Sequence, residues 1–148
     1  GVGTWEIDTP ALSDRYHGGP QPIRMVFDPH FKGNYIRAVD GDLQTWVFTK
    51  LHEETKQNLH IFALPGLENN PNVLMDFLYE KQINSILIEG GATTLENFIN
   101  AGCVNEIHRF KHRSLLWDNG LKAPDFEGYI PTEIRAFEQS DLTVYAIS

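Results

Sequence analysis

Residues 85–96, with the sequence SILIEGGATTLE, decide how this chain folds. The aliphatic run inside 85–89 is typical of a buried strand, and the two glycines that follow it predict a tight turn. Thr93 and Glu96 have the spacing of a capping box, so a helix is predicted over 94–101. A strand, a tight turn and a helix in this order form the unit of an α/β fold.

Three further strands and one helix are predicted before this unit. The strands are expected over 22–28, 45–49 and 59–64, and the helix over 71–82. Asn70 is expected to be the N-cap of that helix and Pro71 its first residue. Residues 1–19 are rich in glycine and proline and are predicted to be a loop.

A strand over 104–112 and a terminal hairpin are predicted after the unit. The hairpin strands are expected over 133–137 and 142–147, and a loop over 115–126 precedes them. The predicted architecture is therefore α/β, with a mixed, mostly parallel sheet flanked by helices and a C-terminal antiparallel hairpin. The length of 148 residues predicts a single domain over 1–148.

The composition excludes several classes of protein. Twelve Lys and Arg against 20 Asp and Glu give a net charge of −8, which argues against a general binder of nucleic acid or of anionic membranes. The longest apolar runs are far shorter than the ~20 residues that span a bilayer, and no basic and apolar leader is seen. The single cysteine, Cys103, excludes an intrachain disulfide and suits a reducing compartment, so a cytoplasmic location is predicted.

The turn at Gly90 and Gly91 is the strongest chemical signal. Glycine lets the backbone approach a ligand closely, and the free N–H groups of the following helix point at the same place, which suits a phosphate or pyrophosphate. The usual dinucleotide pattern G-x-G-x-x-G is absent. From these residues alone, a turn that uses glycine only for its geometry is an equally good explanation.

Residues 1–15 give a second signal, because a glycine-punctuated stretch collects Thr4, Asp8 and Arg15. Arg15 has the fork geometry that binds a phosphate with two hydrogen bonds. A turn at 8–10 with a surface arginine explains the same residues, and without other context it is the better explanation.

The other candidate residues indicate no chemistry. His108 and His112 share one face of a strand, but no third ligand stands at a spacing that predicts a metal site. Cys103 follows a helix end rather than a helix start, so it is expected to be a small buried apolar residue. No G-x-S-x-G motif is present for a serine hydrolase.

Three blocks of the chain resemble one enzyme family. Residues 1–15 are similar to its G-x-x-T-x-x-x-D-x-P-x-L-x-x-R loop, and residues 22–28 to its P-x-R-V-V-L-D strand. Residues 87–91 are similar to its L-x-E-G-G turn, which the A-G-L-V-D-E pattern follows at 101–106. The family is the reductase domain of the bifunctional riboflavin-biosynthesis deaminase/reductase, which has a dihydrofolate-reductase-like fold.

The resemblance implies a reaction and a set of site residues. The reaction is the NADPH-dependent reduction of 5-amino-6-(5-phosphoribosylamino)uracil to its ribitylamino product. By motif position, Thr4 and Asp8 contact NADP, and Leu12, Arg15 and Glu89 contact the substrate. The residues implied to line the cofactor phosphates are Gly91, Ala92, Thr93, Thr94, Leu95, Glu96 and Asn97. No general acid and no metal ligand are identified.

The resemblance also implies partners. Members of the family carry a further part of the domain, including the first strand of the sheet, before the block at 1–15. A homodimer is expected, and a deaminase domain is expected upstream in a full-length protein. Two other functions remain open: a dihydrofolate-reductase-type pterin reductase, and a non-catalytic domain that retains only nucleotide binding or dimerisation.

Overall fold

The computed structural model describes residues 1–8, 10–16, 18–39, 43–115, 120, 122–126 and 128–146. Four helices are described there, namely α1 (Val2–Asp8), α2 (Ile36–Val39), α3 (Asn72–Glu80) and α4 (Ala92–Asn100). The strands in the same residues are β1 (Arg24–Phe27), β2 (Thr45–Thr49), β3 (Glu54–Lys56), β4 (Leu59–Ala63), β5 (Glu106–His112), β6 (Ile130–Ala136) and β7 (Ser140–Ala146).

One sheet, sheet A, has the strand order β1-β2-β4-β3. β1, β2 and β4 run parallel, and β3 returns antiparallel along β4 through a two-residue hairpin turn. β2 is buried along almost its whole length, because it lies in the middle of the sheet. The strands predicted over 22–28, 45–49 and 59–64 are thus confirmed as β1, β2 and β4.

Helices cover both faces of sheet A. Successive residues of a strand point to opposite faces, and Val47 and Phe48 of β2 accordingly enter two different apolar clusters. Val47 packs with Trp5 of α1 and Ala38 of α2. Phe48 packs with side chains of α3 and with Phe98 of α4. The α/β architecture predicted from the sequence is confirmed.

A second sheet, sheet B, has the order β5-β7-β6 and is antiparallel. The predicted terminal hairpin is confirmed as β6 and β7, with a β-bulge between Pro131 and Glu133. Every residue of β6 is exposed, and so are most residues of β5. The loop predicted over 115–126 lies partly outside the described residues, and its described part contains no helix or strand.

The prediction of a loop over 1–19 is wrong for the first residues, which form α1. Trp5 is buried in this helix, its ring lies 5.8 Å from that of Tyr35, and its Nε1–H donates to the carbonyl oxygen of Asn34. These contacts come from residues about 30 positions later, so tertiary packing outweighs the low helix propensity of Gly1 and Gly3.

The prediction of a strand over 85–89 is also wrong. Ile86 and Ile88 are partly buried and Leu87 is 83 % exposed, so the alternation of an extended chain is present. Among the described residues, however, no strand forms a hydrogen-bonded ladder with this segment. Sequence alternation predicts which face is buried, whereas a strand also needs a partner for its backbone groups.

Both predicted helix starts shift in the structure. α4 begins at Ala92 with Gly91 as its N-cap and without a side-chain cap, so the predicted capping box is not formed. α3 begins at Asn72 with Pro71 as its N-cap. The short elements α2 and β3 were not predicted, because three or four residues carry too little periodicity. No helix among the described residues is both long enough and apolar enough to cross a bilayer.

Candidate functional site

A groove of about 720 Å³ lies between β1 and the extended segment 83–90. Its floor is apolar and includes side chains of β1, β2 and α4. Its mouth is polar and is formed by α1, the loop before β1 and the start of α4. The residues that line this groove include Thr4, Leu12, Arg15, Arg24, Glu89, Gly90 and Thr94.

α1 brings Thr4 to the groove. The buried neighbour Trp5 anchors the helix on sheet A, and Thr4 therefore projects toward the start of α4. Its Oγ1 lies 3.8 Å from the place that a Cβ atom at Gly91 would occupy. Asp8, at the other end of the same helix, is exposed and does not line the groove.

The loop before β1 brings Leu12 and Arg15 to the same groove. Hydrogen bonds between Asp14 and Gln21 fix this loop: the Asp14 N–H donates to Oε1 of Gln21 at 3.0 Å, and Nε2 of Gln21 donates to the Asp14 carbonyl at 3.0 Å. Leu12 has φ = 44°, a left-handed conformation that is uncommon for a leucine.

The segment before α4 supplies a carboxylate and a backbone cradle. Glu89 is exposed at the mouth of the groove. A Cβ atom at Gly90 would lie 3.0 Å from Cβ of Thr94 and 3.2 Å from N of Gly1, so a larger residue there would force these neighbours to shift by a few tenths of an ångström. A Cβ atom at Gly91 would have one heavy atom of the described residues within 4 Å, apart from those of its chain neighbours, and this atom is the Thr4 hydroxyl oxygen.

The N-terminus of α4 has free donors. The N–H groups of Thr94 and Leu95 donate to the carbonyl of Gly91, and no side chain caps the helix. Among the described residues, the N–H groups of Ala92 and Thr93 have no hydrogen-bond partner. Such groups bind anions, because the helix dipole and the hydrogen bonds act in the same direction.

The structure therefore brings together only some of the residues predicted from the sequence. Thr4, Leu12, Arg15, Glu89 and Thr94 line one groove. Gly91 lies beside this groove, because a Cβ atom on it would be 3.8 Å from the hydroxyl oxygen of Thr4. The remaining predicted residues, Ala92, Thr93, Leu95, Glu96 and Asn97, lie in the first two turns of α4 and do not line the groove.

Arg24 is a groove residue for which the sequence indicated no role. Its guanidinium lies 6.0 Å from the centre of the Trp5 ring and donates to the carbonyl of Leu43. Partial burial lowers the pKa of this guanidinium from its ordinary value. Arg24 also lines a second cavity of about 380 Å³ with Glu6 and Arg37. The only sequence signal was its place in the P-x-R block at 22–28.

The chemistry of the groove suits an anionic ligand with an apolar body. Arg15 and Arg24 supply two guanidinium groups, and the start of α4 supplies backbone donors. Glu89 supplies a hydrogen-bond acceptor. Among the described residues no group of three or more His, Cys, Asp or Glu is placed to hold a metal ion.

Comparison with known proteins identifies relatives with a similar sequence. Residues 1–115 match the family described as the RibD C-terminal domain. The riboflavin biosynthesis protein RibD of Bacillus amyloliquefaciens is 33 % identical over 119 residues, which cover 73 % of this chain and 32 % of that protein. RibD of Actinobacillus pleuropneumoniae is 25 % identical over 140 residues, which cover 84 % of this chain and 36 % of that protein. The chain thus spans about a third of the length of these relatives.

Solved structures share the fold. A deaminase/5-amino-6-(5-phosphoribosylamino)uracil reductase of Thermotoga maritima superposes with a TM-score of 0.79 at 20 % identity, covering 99 % of this chain and 44 % of its own. RibD of Acinetobacter baumannii gives 0.75 at 19 % identity, covering 99 % and 45 %. The riboflavin biosynthesis reductase Rib7 of Saccharomyces cerevisiae gives 0.70 at 13 % identity, covering 86 % and 70 %. At these identities the similarity shows the fold alone.

Proposed function

Because this chain belongs to the RibD C-terminal domain family, we propose that it is an oxidoreductase of riboflavin biosynthesis. The proposed reaction is the NADPH-dependent reduction of 5-amino-6-(5-phosphoribosylamino)uracil to the ribitylamino product. The observation that carries this proposal is the meeting of Thr4, Arg15 and Glu89 in one groove beside the uncapped start of α4. These residues come from two separate sequence blocks, 1–15 and 87–91.

The start of α4, beside the groove, offers hydrogen-bond donors for the phosphates of a dinucleotide. Ala92 and Thr93 offer N–H groups without a partner among the described residues, and Gly91 leaves the space in front of them open apart from the Thr4 hydroxyl. We assign Thr4, Asp8 and the first turns of α4, Gly91 to Asn97, to the cofactor. NADPH, when bound, supplies the hydride.

The residues of the chain orient and hold the substrate. Leu12 packs against its apolar part, and Glu89 accepts hydrogen bonds from it at the groove mouth. Arg15 binds its phosphate. Holding the two reactants in one groove replaces a bimolecular encounter by a single bound geometry, which is the main contribution that the protein makes to a hydride transfer.

Arg15 gives a direct test of the substrate assignment. Arg15→Lys keeps the positive charge but loses the two-pronged contact, which contributes about 1.5–3 kcal/mol when a charged group is bound. We expect the KM for the phosphorylated substrate to rise about tenfold or more, while the Kd for NADPH changes little. Steady-state kinetics and an NADPH titration measure the two. An equal loss for both ligands would indicate a general defect of the loop at 10–16.

A titration and an assay separate the proposed function from its alternatives. The full-length protein that contains this chain is titrated with NADPH and with NADH, and oxidation of NADPH is then followed with the phosphoribosylamino-uracil or with dihydrofolate. We expect tight binding of NADPH and turnover of the first substrate only. Turnover of dihydrofolate would favour a pterin reductase. Binding of neither nucleotide would favour a non-catalytic domain.

The proposal also covers the oligomeric state of the enzyme, its location and an accompanying domain. We propose that it acts as a homodimer in the cytoplasm, where a lone thiol such as Cys103 stays reduced. Its thiol donates to Oδ1 of Asn72, and partial burial raises the pKa of this thiol. The Thermotoga relative is a deaminase/reductase, so we further propose that a deaminase domain accompanies this chain in its full-length protein.

A further inference from the structure

Asp28 is a buried carboxylate immediately after β1, outside the groove. Asp28 is only 1 % exposed. Oδ2 accepts two hydrogen bonds, from the Gly33 N–H at 2.8 Å and from the Tyr35 hydroxyl at 2.7 Å. Oδ1 is buried and has no partner among the described residues. Burying a charge is costly unless hydrogen bonds compensate it, so these two bonds fix the loop over 29–35 strongly.

The same loop holds α1. Between the two donors to Asp28 stands Asn34, whose carbonyl oxygen accepts the indole N–H of Trp5 at 3.1 Å. The Asn34 N–H donates to Oε1 of Glu6 at 2.6 Å. The rings of Trp5 and Tyr35 also pack at 5.8 Å. One side of the loop is therefore bonded to Asp28, and its other side is bonded to α1.

The packing of the loop leaves little space for adjustment. A Cβ atom at Gly33 would lie 2.5 Å from the Tyr35 hydroxyl oxygen and 3.0 Å from Cγ2 of Val2, so only glycine fits between the tyrosine and α1. Burial and the hydrogen bond to Asp28 raise the pKa of Tyr35 far above its ordinary value. The tyrosine therefore stays protonated and keeps donating to the carboxylate.

We propose that Asp28 is a positioning residue that sets the distance between α1 and the start of α4. It acts through Gly33 and Tyr35 on Asn34, and through Asn34 on Trp5 and α1. Thr4 is the neighbour of Trp5, and its hydroxyl lies 3.8 Å from the Cβ position of Gly91. A small rotation of α1 changes this distance and hence the space in front of the free N–H groups of Ala92 and Thr93.

The inference rests on the proposed function for its ligand, so its test has two readouts. The first is the Kd for NADPH. The second is the NMR resonance of the Trp5 indole N–H, which reports directly on the hydrogen bond to Asn34 and needs no ligand. The variants are Tyr35→Phe, Asp28→Ala and Asp28→Asn. Tyr129→Phe is the matched control, because it removes a hydroxyl that donates to the carbonyl of Val104, away from α1.

We expect Tyr35→Phe and Asp28→Ala to shift the Trp5 resonance and to raise the Kd for NADPH about tenfold, the effect of losing one hydrogen bond between the protein and the nucleotide when α1 moves. Asp28→Asn keeps an acceptor and is expected to stay within about threefold of the parent protein. Tyr129→Phe is expected to change neither readout. If Asp28→Ala does not fold, Tyr35→Phe alone decides, because it removes only a hydroxyl.

A merely structural role predicts a different pattern. Tyr35→Phe would then lower the melting temperature while the Trp5 resonance and the Kd for NADPH stay at their parent values, and that result would overturn the proposal. A parent protein that binds no NADPH would contradict the proposed function instead. The Trp5 resonance would still decide the role of Asp28, since an unshifted signal in Tyr35→Phe contradicts it.

Discussion

Replacing Gly91 by valine is expected to abolish NADPH binding and to leave the fold intact. Gly91 has φ = −62° and ψ = 167°, an extended conformation that any residue adopts. In the part of the chain that the structure describes, its Cβ position meets only the Thr4 hydroxyl oxygen, at 3.8 Å, so valine is tolerated by the surrounding residues. Its side chain would instead fill the space in front of the free N–H groups of Ala92 and Thr93. Loss of two hydrogen bonds to a charged phosphate corresponds to about a hundredfold or greater loss of affinity.

A neighbouring glycine provides the control for this prediction. At Gly90 a Cβ atom would lie 3.0–3.2 Å from atoms of Thr94 and Gly1, so Gly90→Ala is expected to lower the melting temperature. Gly91→Val is expected to keep the melting temperature of the parent protein. The measurements are thermal unfolding and fluorescence titration with NADPH. A folded Gly91→Val protein with unchanged affinity would remove the main structural argument for a nucleotide site at α4.

Residues 1–148, prepared as a separate polypeptide, are not expected to be an active monomer. The N–H groups of Arg24 and Asp28 donate toward β2. Alternate residues of a parallel strand bond to opposite sides, so the backbone groups of Met25 and Phe27 face the open edge of β1. The segment 85–89 is likewise unpaired among the described residues. Each buried and unsatisfied group costs about 1–3 kcal/mol, against a net stability of ~5–15 kcal/mol for a domain.

Sheet B offers the surface through which two copies are expected to associate. Phe110 of β5 and Ile130 of β6 are more than half exposed, which is unusual for large apolar residues. They lie on one face of sheet B, because each pairs with a residue of the same face of β7, Leu142 and Ala146 respectively. Ile130→Lys is expected to weaken the dimer about tenfold or more, and Leu51→Lys, at an 81 % exposed site between β2 and β3, is expected to leave it unchanged.

Light scattering over a range of concentrations and intact mass spectrometry test this expectation. A homodimer that dissociates in Ile130→Lys would support it, as would a chain of 148 residues that needs additional sequence to become active. A monodisperse monomer of the mass of residues 1–148, with full NADPH-dependent turnover, would show that the open edges do not matter.

Much of the candidate site follows from local sequence. The blocks at 1–15 and 87–91 hold Thr4, Arg15 and Glu89, and the structure brings all three to one groove. Asp8 is different, because it lies one turn further along α1 than Thr4, is exposed and does not line the groove. A loop was predicted for these residues, and a loop, unlike a helix on which Thr4 and Asp8 share one face, does not fix how far along an axis Asp8 lies from Thr4. Arg24 was not singled out, because only packing against Trp5 brings it to the groove.

The sequence by itself determined the α/β class, the strands β1, β2 and β4, the helices α3 and α4, and the terminal hairpin. These elements have strong periodicity or turn residues, and such local signals act between residues that are close in the chain. Tertiary structure alone decided three features. They are the helix at Val2–Asp8, the lack of a paired strand for 85–89 among the described residues, and the hydrogen bonds that link Asp28 to α1 through the loop over 29–35. Each of them depends on a partner that is distant in the chain, and one residue's local preference carries no information about whether such a partner is in reach.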